Sequence, residues 1–229
     1  MGEGMGSPGG TGAAAGPAVD LHWIPLGAGG YVVRWNGKVY EAMKAGLERR
    51  PRYALYHTAL EVLVPGGRFA IESAPIPDRR RWERGVVAEG PVGMRLAGRF
   101  RLFRYEIRRW ESGWIPDIHE AVRTDRVADD AERALRMLDL VPAVPTPVWG
   151  RDEFGTGDMW NSNSLTSWLL LRSGIDVDRL EPPPGGRAPG WDAGLVVGRR
   201  QMGAARDPRP DGSGHRGRRS TIRIRAGRR

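Results

Sequence analysis

Apolar and polar residues alternate through AVDLHWIPL, residues 18–26, which predicts a strand with Val19, Leu21 and Trp23 on one face. The glycines from Gly27 to Gly30 end it. YVVRW, residues 31–35, is a second short extended run. A helix is expected next, opened by Asn36 as N-cap and closed by Pro51, because Val39, Met43 and Leu47 recur at the spacing of one helical face. YALYHTALEVLV and RFAIES, joined by Pro65-Gly66-Gly67, form the clearest β-hairpin pattern in the chain. After a basic loop around Arg79 to Arg81, GRFRLFRYEIRRW reads as a third β region.

The second half turns helical. VADDAERALRMLDL has Asp129, Asp130 and Glu132 in its first turns and Pro142 just past its end, as the helix dipole and the proline rule favour. A Pro-rich connector, VPAVPTPVWG, leads to NSNSLTSWLLLRSG. This is a helix with Leu165, Trp168 and Leu169 on one face and Gly174 as C-cap. PPPGGRAPGW is a loop, and GLVVG is expected as a last short strand. No internal repeat is visible. The fold class is α+β with a mostly antiparallel sheet packed against helices.

Charge divides the chain of 229 residues. The overall net charge is +9, yet residues 199–229 alone hold eleven Arg against two Asp. The body before them balances 25 basic against 25 acidic side chains. The Gly/Ala-rich residues 1–17 and the Arg-rich residues 204–229 bury too little apolar surface to offset ordering entropy, so both read as disordered arms flanking a domain at 18–203. The basic tail would bind polyanions, including nucleic acid, weakly and with strong salt dependence. It carries no aromatic residue to stack on bases. No apolar run reaches the roughly 18–20 residues of a membrane span, and the N-terminus lacks a secretory pattern, so a cytoplasmic location is expected. The absence of Cys excludes disulfides, thiolate metal sites and a cysteine nucleophile. His22, His57, His119 and His215 stand at no ligand spacing from one another, and the sequence calls for no metal or cofactor. His22 and His119 read as ordinary, partly exposed residues.

Two elements carry candidate chemistry. His57 lies in a strand whose hairpin partner returns beside it, and Asn161-Ser162-Asn163 stands at the mouth of an apolar helix. A hydroxyl at a helix N-terminus sits beside unpaired backbone N–H groups that stabilise a developing oxyanion. A histidine next to it would act as general base. Trp160 precedes the motif and is a candidate wall of the cleft. With Asn161 and Asn163 available to satisfy the helix-start donors, Ser162 equally suits a purely structural first turn.

YHTALEV…RFAIES, followed late in the chain by FGTGDMWNSNSLTSWLL, resembles the PPPDE peptidases, which include the desumoylating isopeptidases. These belong to the circularly permuted papain-like group, with the NlpC-type peptidases and the lecithin retinol acyltransferase family. The resemblance covers roughly residues 18–75 and 153–175 and leaves 80–150 as an elaboration. It implies a permuted papain-like fold in which His57 is the catalytic histidine and Ser162 occupies the nucleophile's position. The family has Cys there. A thiol is drawn into its thiolate by a neighbouring imidazolium, whereas a serine hydroxyl must lose its proton during attack to a histidine oriented by a third group. Glu61 lies four residues from His57 on the same face, roughly 13 Å along a strand, too far for this role. Glu72, on the returning strand, falls opposite residue 60 or so, and the third group stays unassigned.

Three functions are compatible with this reading. One is a hydrolase or acyltransferase acting on amide, ester or thioester bonds through Ser162 and His57. Another is a catalytically silent relative that binds a peptide, acyl chain or protein in the same cleft. The last is a polyanion-associated protein working through its basic tail.

Overall fold

A computed structural model of the chain describes residues 16–26, 53–76 and 85–206. The strand expected at 31–35, the helix from Asn36 to Pro51, the loop around Arg79 to Arg81, and the arms at 1–15 and 207–229 lie outside these residues.

The architecture is α+β, built on a mostly antiparallel sheet in the order β4-β5-β3-β2-β1-β6. The strands are β1 (Ala18–Pro25), β2 (Ala54–Val64), β3 (Gly67–Pro75), β4 (Val86–Pro91), β5 (Arg104–Glu111) and β6 (Arg123–Ala128). Three α-helices follow among the described residues: α1 (Ala131–Leu140), α2 (Ser162–Arg172) and α3 (Trp191–Arg206). A two-residue strand, β7 (Gly186–Arg187), pairs in parallel with the start of β2. Residues 80–150 supply β4, β5, β6 and α1, and β5 and β6 pair directly with β3 and β1.

The hairpin forms as its pattern predicts, with Val64 opposite Gly67 and Leu60 opposite Ile71. The ladder then stops. β2 continues against β1 as far as Tyr56 opposite Pro25, while β3 continues against β5 as far as Pro75 opposite Tyr105. Residues 54–59 of β2 therefore have no β3 partner, and the sheet is split between its two central strands at this end.

Alternation along the strands separates two faces. Val19, Leu21, Trp23, Tyr56, Leu60, Val62, Ile71, Tyr105 and Ile107 pack with the helices in the main core. The opposite face holds a small apolar cluster of Ile24, Ala59, Ala70 and Ile115 among charged side chains. Ile115 belongs to the connection from β5 to β6, which crosses this second face.

α2 is buried on every side, unlike the one-sided helix that Leu165, Trp168 and Leu169 suggested. Two of its buried hydroxyls are bonded to the neighbouring segment, that of Ser164 donating to the Gly190 carbonyl at 2.7 Å and that of Ser167 to Trp191 at 2.7 Å, whereas the buried Thr166 hydroxyl has no partner among the described residues. A Schellman motif ends the helix, Gly174 N–H bonding to Leu171 and Ile175 N–H to Leu170, with Gly174 at φ 85°. GLVVG, expected as a strand, lies inside α3, which continues past the anticipated boundary at residue 203 to Arg206. The reason is packing: a Cβ on Gly194 would stand 2.1 Å from the Ser164 carbonyl oxygen, and one on Gly198 would meet Leu171 at 2.8 Å. The glycines therefore form the flat side of a helix pressed against α2. The third β region also starts later than expected, since residues 96–103 form two 3-10 turns before β5 begins. Among the described residues, no helix is long and apolar enough to cross a membrane.

Candidate active site

The split between β2 and β3 is filled by the start of α2. The Leu26 N–H bonds to the carbonyl of Leu55, which fixes that carbonyl toward β1. Carbonyls alternate along a strand, so that of Tyr56 points into the split, where a β3 amide would otherwise bond it. The side-chain amide of Asn163 takes that place, donating to Tyr56 at 3.0 Å and to the Pro189 carbonyl at 2.8 Å. Its oxygen accepts from the Thr58 hydroxyl at 3.0 Å. The residue after Ser162 is thus bonded to both neighbours of His57. Ser162, the first residue of α2, is buried on the helix side, and the side chain of His57, which alternates away from Thr58, lies on the second face.

Asn161 caps the helix. Its side-chain oxygen accepts from the N–H of Asn163 at 2.9 Å and of Ser164 at 3.4 Å, and the Ser164 hydroxyl accepts from the Asn161 N–H at 3.0 Å, completing a capping box. The helix-start role anticipated for the two asparagines is therefore filled by Asn161 alone, while the Asn163 side chain is spent on β2 and Pro189. The cap leaves Ser162 out: neither its N–H nor its hydroxyl has a hydrogen-bond partner among the described residues, although the side chain is buried. Trp160 is enclosed in the core with its ring 5.5 Å from that of Phe154, so it supports the motif from behind.

The orienting group for His57 is Asp117, a residue the sequence pattern does not single out. Its Oδ2 lies 2.9 Å from Nε2 of His57. The connection that carries it leaves β5 by a reversal at Ser112, φ 51°, and Gly113, where a Cβ would collide with the Trp110 ring at 2.4 Å. Ile115 then plugs the apolar cluster against Ala59 and Ala70, which pins Asp117 two residues later. Burial pulls Asp117 upward, but the hydrogen bond and the charge of His57 prevail and hold it below the usual carboxylate range. An ionised Asp117 accepts a hydrogen bond from Nε2–H. That tautomer leaves Nδ1 with its lone pair, and Nδ1 has no partner among the described residues.

Glu72 stands on β3, the other lip of the split, on the same face as His57. It is engaged by Arg108, whose Nη1 donates to it at 2.5 Å while Nε donates to buried Glu106 at 3.0 Å. Glu72 is therefore not the partner of His57. Burial raises its carboxyl above the ordinary value; Arg108 opposes this, and Asp117 adds to it. Glu61 is bound to Arg68 and faces His22 at 3.5 Å. His22 departs from expectation by being buried, with Nδ1 2.9 Å from the Thr124 hydroxyl. His119 is exposed, as anticipated.

Comparison with protein-family models, with curated proteins and with solved structures finds no match for this chain.

Proposed function

We propose that the chain is a permuted papain-like domain acting as a hydrolase or acyltransferase on an amide, ester or thioester, with a serine in the nucleophile's place. The observation that carries this reading is the His57–Asp117 pair on a strand whose residues 56 and 58 are bonded to Asn163, the neighbour of Ser162. Serine needs a base that takes its proton during attack, and such a base needs an orienting carboxylate. Asp117 supplies the carboxylate and directs Nδ1, the open nitrogen, toward the role of base.

In the first step the Ser162 hydroxyl oxygen attacks the carbonyl carbon of the substrate while Nδ1 of His57 takes the hydroxyl proton. The oxyanion accepts from the N–H of Ser162, the helix-start donor that the Asn161 cap leaves unused. Collapse of the intermediate expels the leaving group, which receives the proton from His57, and an acyl ester on Ser162 remains. Water or an acceptor nucleophile then removes the acyl group by the reverse sequence.

An active-site-directed fluorophosphonate tests the reading. Labelling at Ser162 is expected, and it should be lost in His57→Ala. An unlabelled Ser162, or equal labelling in His57→Ala, overturns the catalytic reading and leaves a cleft that binds a peptide, acyl chain or protein without cleaving it.

A further inference from the structure

Of the ten large apolar side chains exposed among the described residues, five lie in one stretch: Met94, Leu96, Phe100, Leu102 and Phe103. This is the connection between β4 and β5, folded as the two 3-10 turns at Leu96–Arg99 and Arg101–Phe103. Leu102 is 82% exposed, Phe100 66% and Leu96 62%, values that describe a projection and not the wall of a groove. The stretch is also basic. No acidic residue occurs between Pro91 and Glu106, while Arg95, Arg99, Arg101 and Arg104 interrupt the apolar positions.

The projection is held from its shoulders. Arg95 forms a two-pronged pair with Glu153 at 2.8 and 2.9 Å, and Arg104 pairs with Glu89 at 3.0 Å. Between these anchors Arg99 stands next to Phe100, and Arg101, itself engaged, next to Leu102. A convex segment of this composition suits the interfacial layer of a bilayer, where apolar side chains enter the acyl region and arginine heads stay at the phosphates. A protein partner would have to wrap the projection with a complementary hollow. The sign of the charge selects anionic lipid, and the eleven arginines of residues 199–229 add a second electrostatic attraction of the same sign.

The geometry points to the β4–β5 connection as a docking surface for an anionic membrane, inserting Leu96, Phe100, Leu102 and Phe103 at the level of the headgroups. Attachment is interfacial and reversible, as for other short apolar insertions supported by basic residues. It does not depend on whether Ser162 is catalytic.

Because the chain has no Cys, a single introduced thiol reports from one place. Full-length Leu102→Cys carrying an environment-sensitive fluorophore is mixed with vesicles of phosphatidylcholine alone or of phosphatidylcholine with phosphatidylglycerol. Leu135→Cys, exposed on α1, serves as the control position. The expected result is a blue-shifted, brighter emission from position 102 with the anionic vesicles only, and no change from position 135. The paired substitution Phe100→Ser and Phe103→Ser should lower the vesicle-bound fraction on the order of tenfold, with an unchanged circular dichroism spectrum. Sedimentation with anionic vesicles without an emission change at 102 would assign binding to the Arg-rich tail and overturn the proposal. So would an absence of vesicle binding.

Discussion

Nε2 of His57 stands 2.9 Å from Oδ2 of Asp117, sixty residues further along the chain. Replacing Asp117 by Asn removes the acceptor that selects the Nε2–H tautomer. The rate of fluorophosphonate labelling at Ser162 should fall by a factor on the order of 10³–10⁴, as when the orienting carboxylate is removed from a serine–histidine pair. The same variant changes the acid limb of stability. A carboxyl whose folded pKa lies below its ordinary value of 3.8 stabilises the fold above that value and ceases to do so as pH falls through the folded one. Urea unfolding of Asp117→Asn should therefore show a shallower loss of stability on acidification than the parent.

Glu72 has the opposite sign. Its carboxyl is raised from 4.5 by burial, so the folded state holds a proton that the unfolded chain has already lost. This contribution weakens the fold as pH rises from 4.5 through the folded value. Glu72→Gln should remove that decline. The gain over the parent should be larger near neutrality than in acid, measured by urea unfolding at fixed ionic strength.

Arg108 neutralises both Glu72 and Glu106 and is 4% exposed. Arg108→Met should cost about 3–5 kcal/mol near neutral pH, because it leaves buried carboxylates without their guanidinium. The loss should shrink in acid, where Glu72 is protonated. A constant loss across pH would mean that packing, not charge, accounts for it.

Asn163 replaces a strand partner in the split. Asn163→Ala strands the Tyr56 carbonyl and the Thr58 hydroxyl and leaves the Pro189 carbonyl to Asn161 alone, for an expected loss of about 2–4 kcal/mol by thermal or urea unfolding. Amide exchange should quicken most in residues 56–59, which have β1 but not β3 to hold them.

The two helical glycines Gly194 and Gly203 should respond in opposite directions. Gly194→Ala pushes α3 off the Ser164 carbonyl and should destabilise by about 1–3 kcal/mol. Gly203→Ala meets nothing within 4 Å and should stabilise by up to about 1 kcal/mol through the lower backbone entropy of the unfolded chain. Calorimetry of the two variants separates contact from propensity.

Much of the frame is legible in the sequence because local rules decide it. The hairpin follows from its apolar pattern and Pro65-Gly66, α1 from its acidic first turn and Asp130 cap, and α2 from Asn161 and Gly174. GLVVG misleads because a short apolar run has no readable period. The spacing of Gly190, Gly194 and Gly198, four residues apart, was the available sign of a helix packed closely against another. Asp117 leaves no such mark. It lies in an irregular connection, and what places it is Ile115 burying itself beneath two alanines of distant strands. The emergence of His22 as a buried residue has the same origin, since Thr124 and Glu61 reach it only through sheet pairing.

The gap in the sheet has a mechanical consequence. β2 and β3 are fastened to each other by five register pairs at the turn end, so they act as two arms of a clip whose spring is the hairpin. Beyond those pairs β2 is held on its open side by one asparagine side chain at the tip of α2. Changes around the Pro65-Gly66 reversal should therefore be felt at the open end of the gap, beside His57.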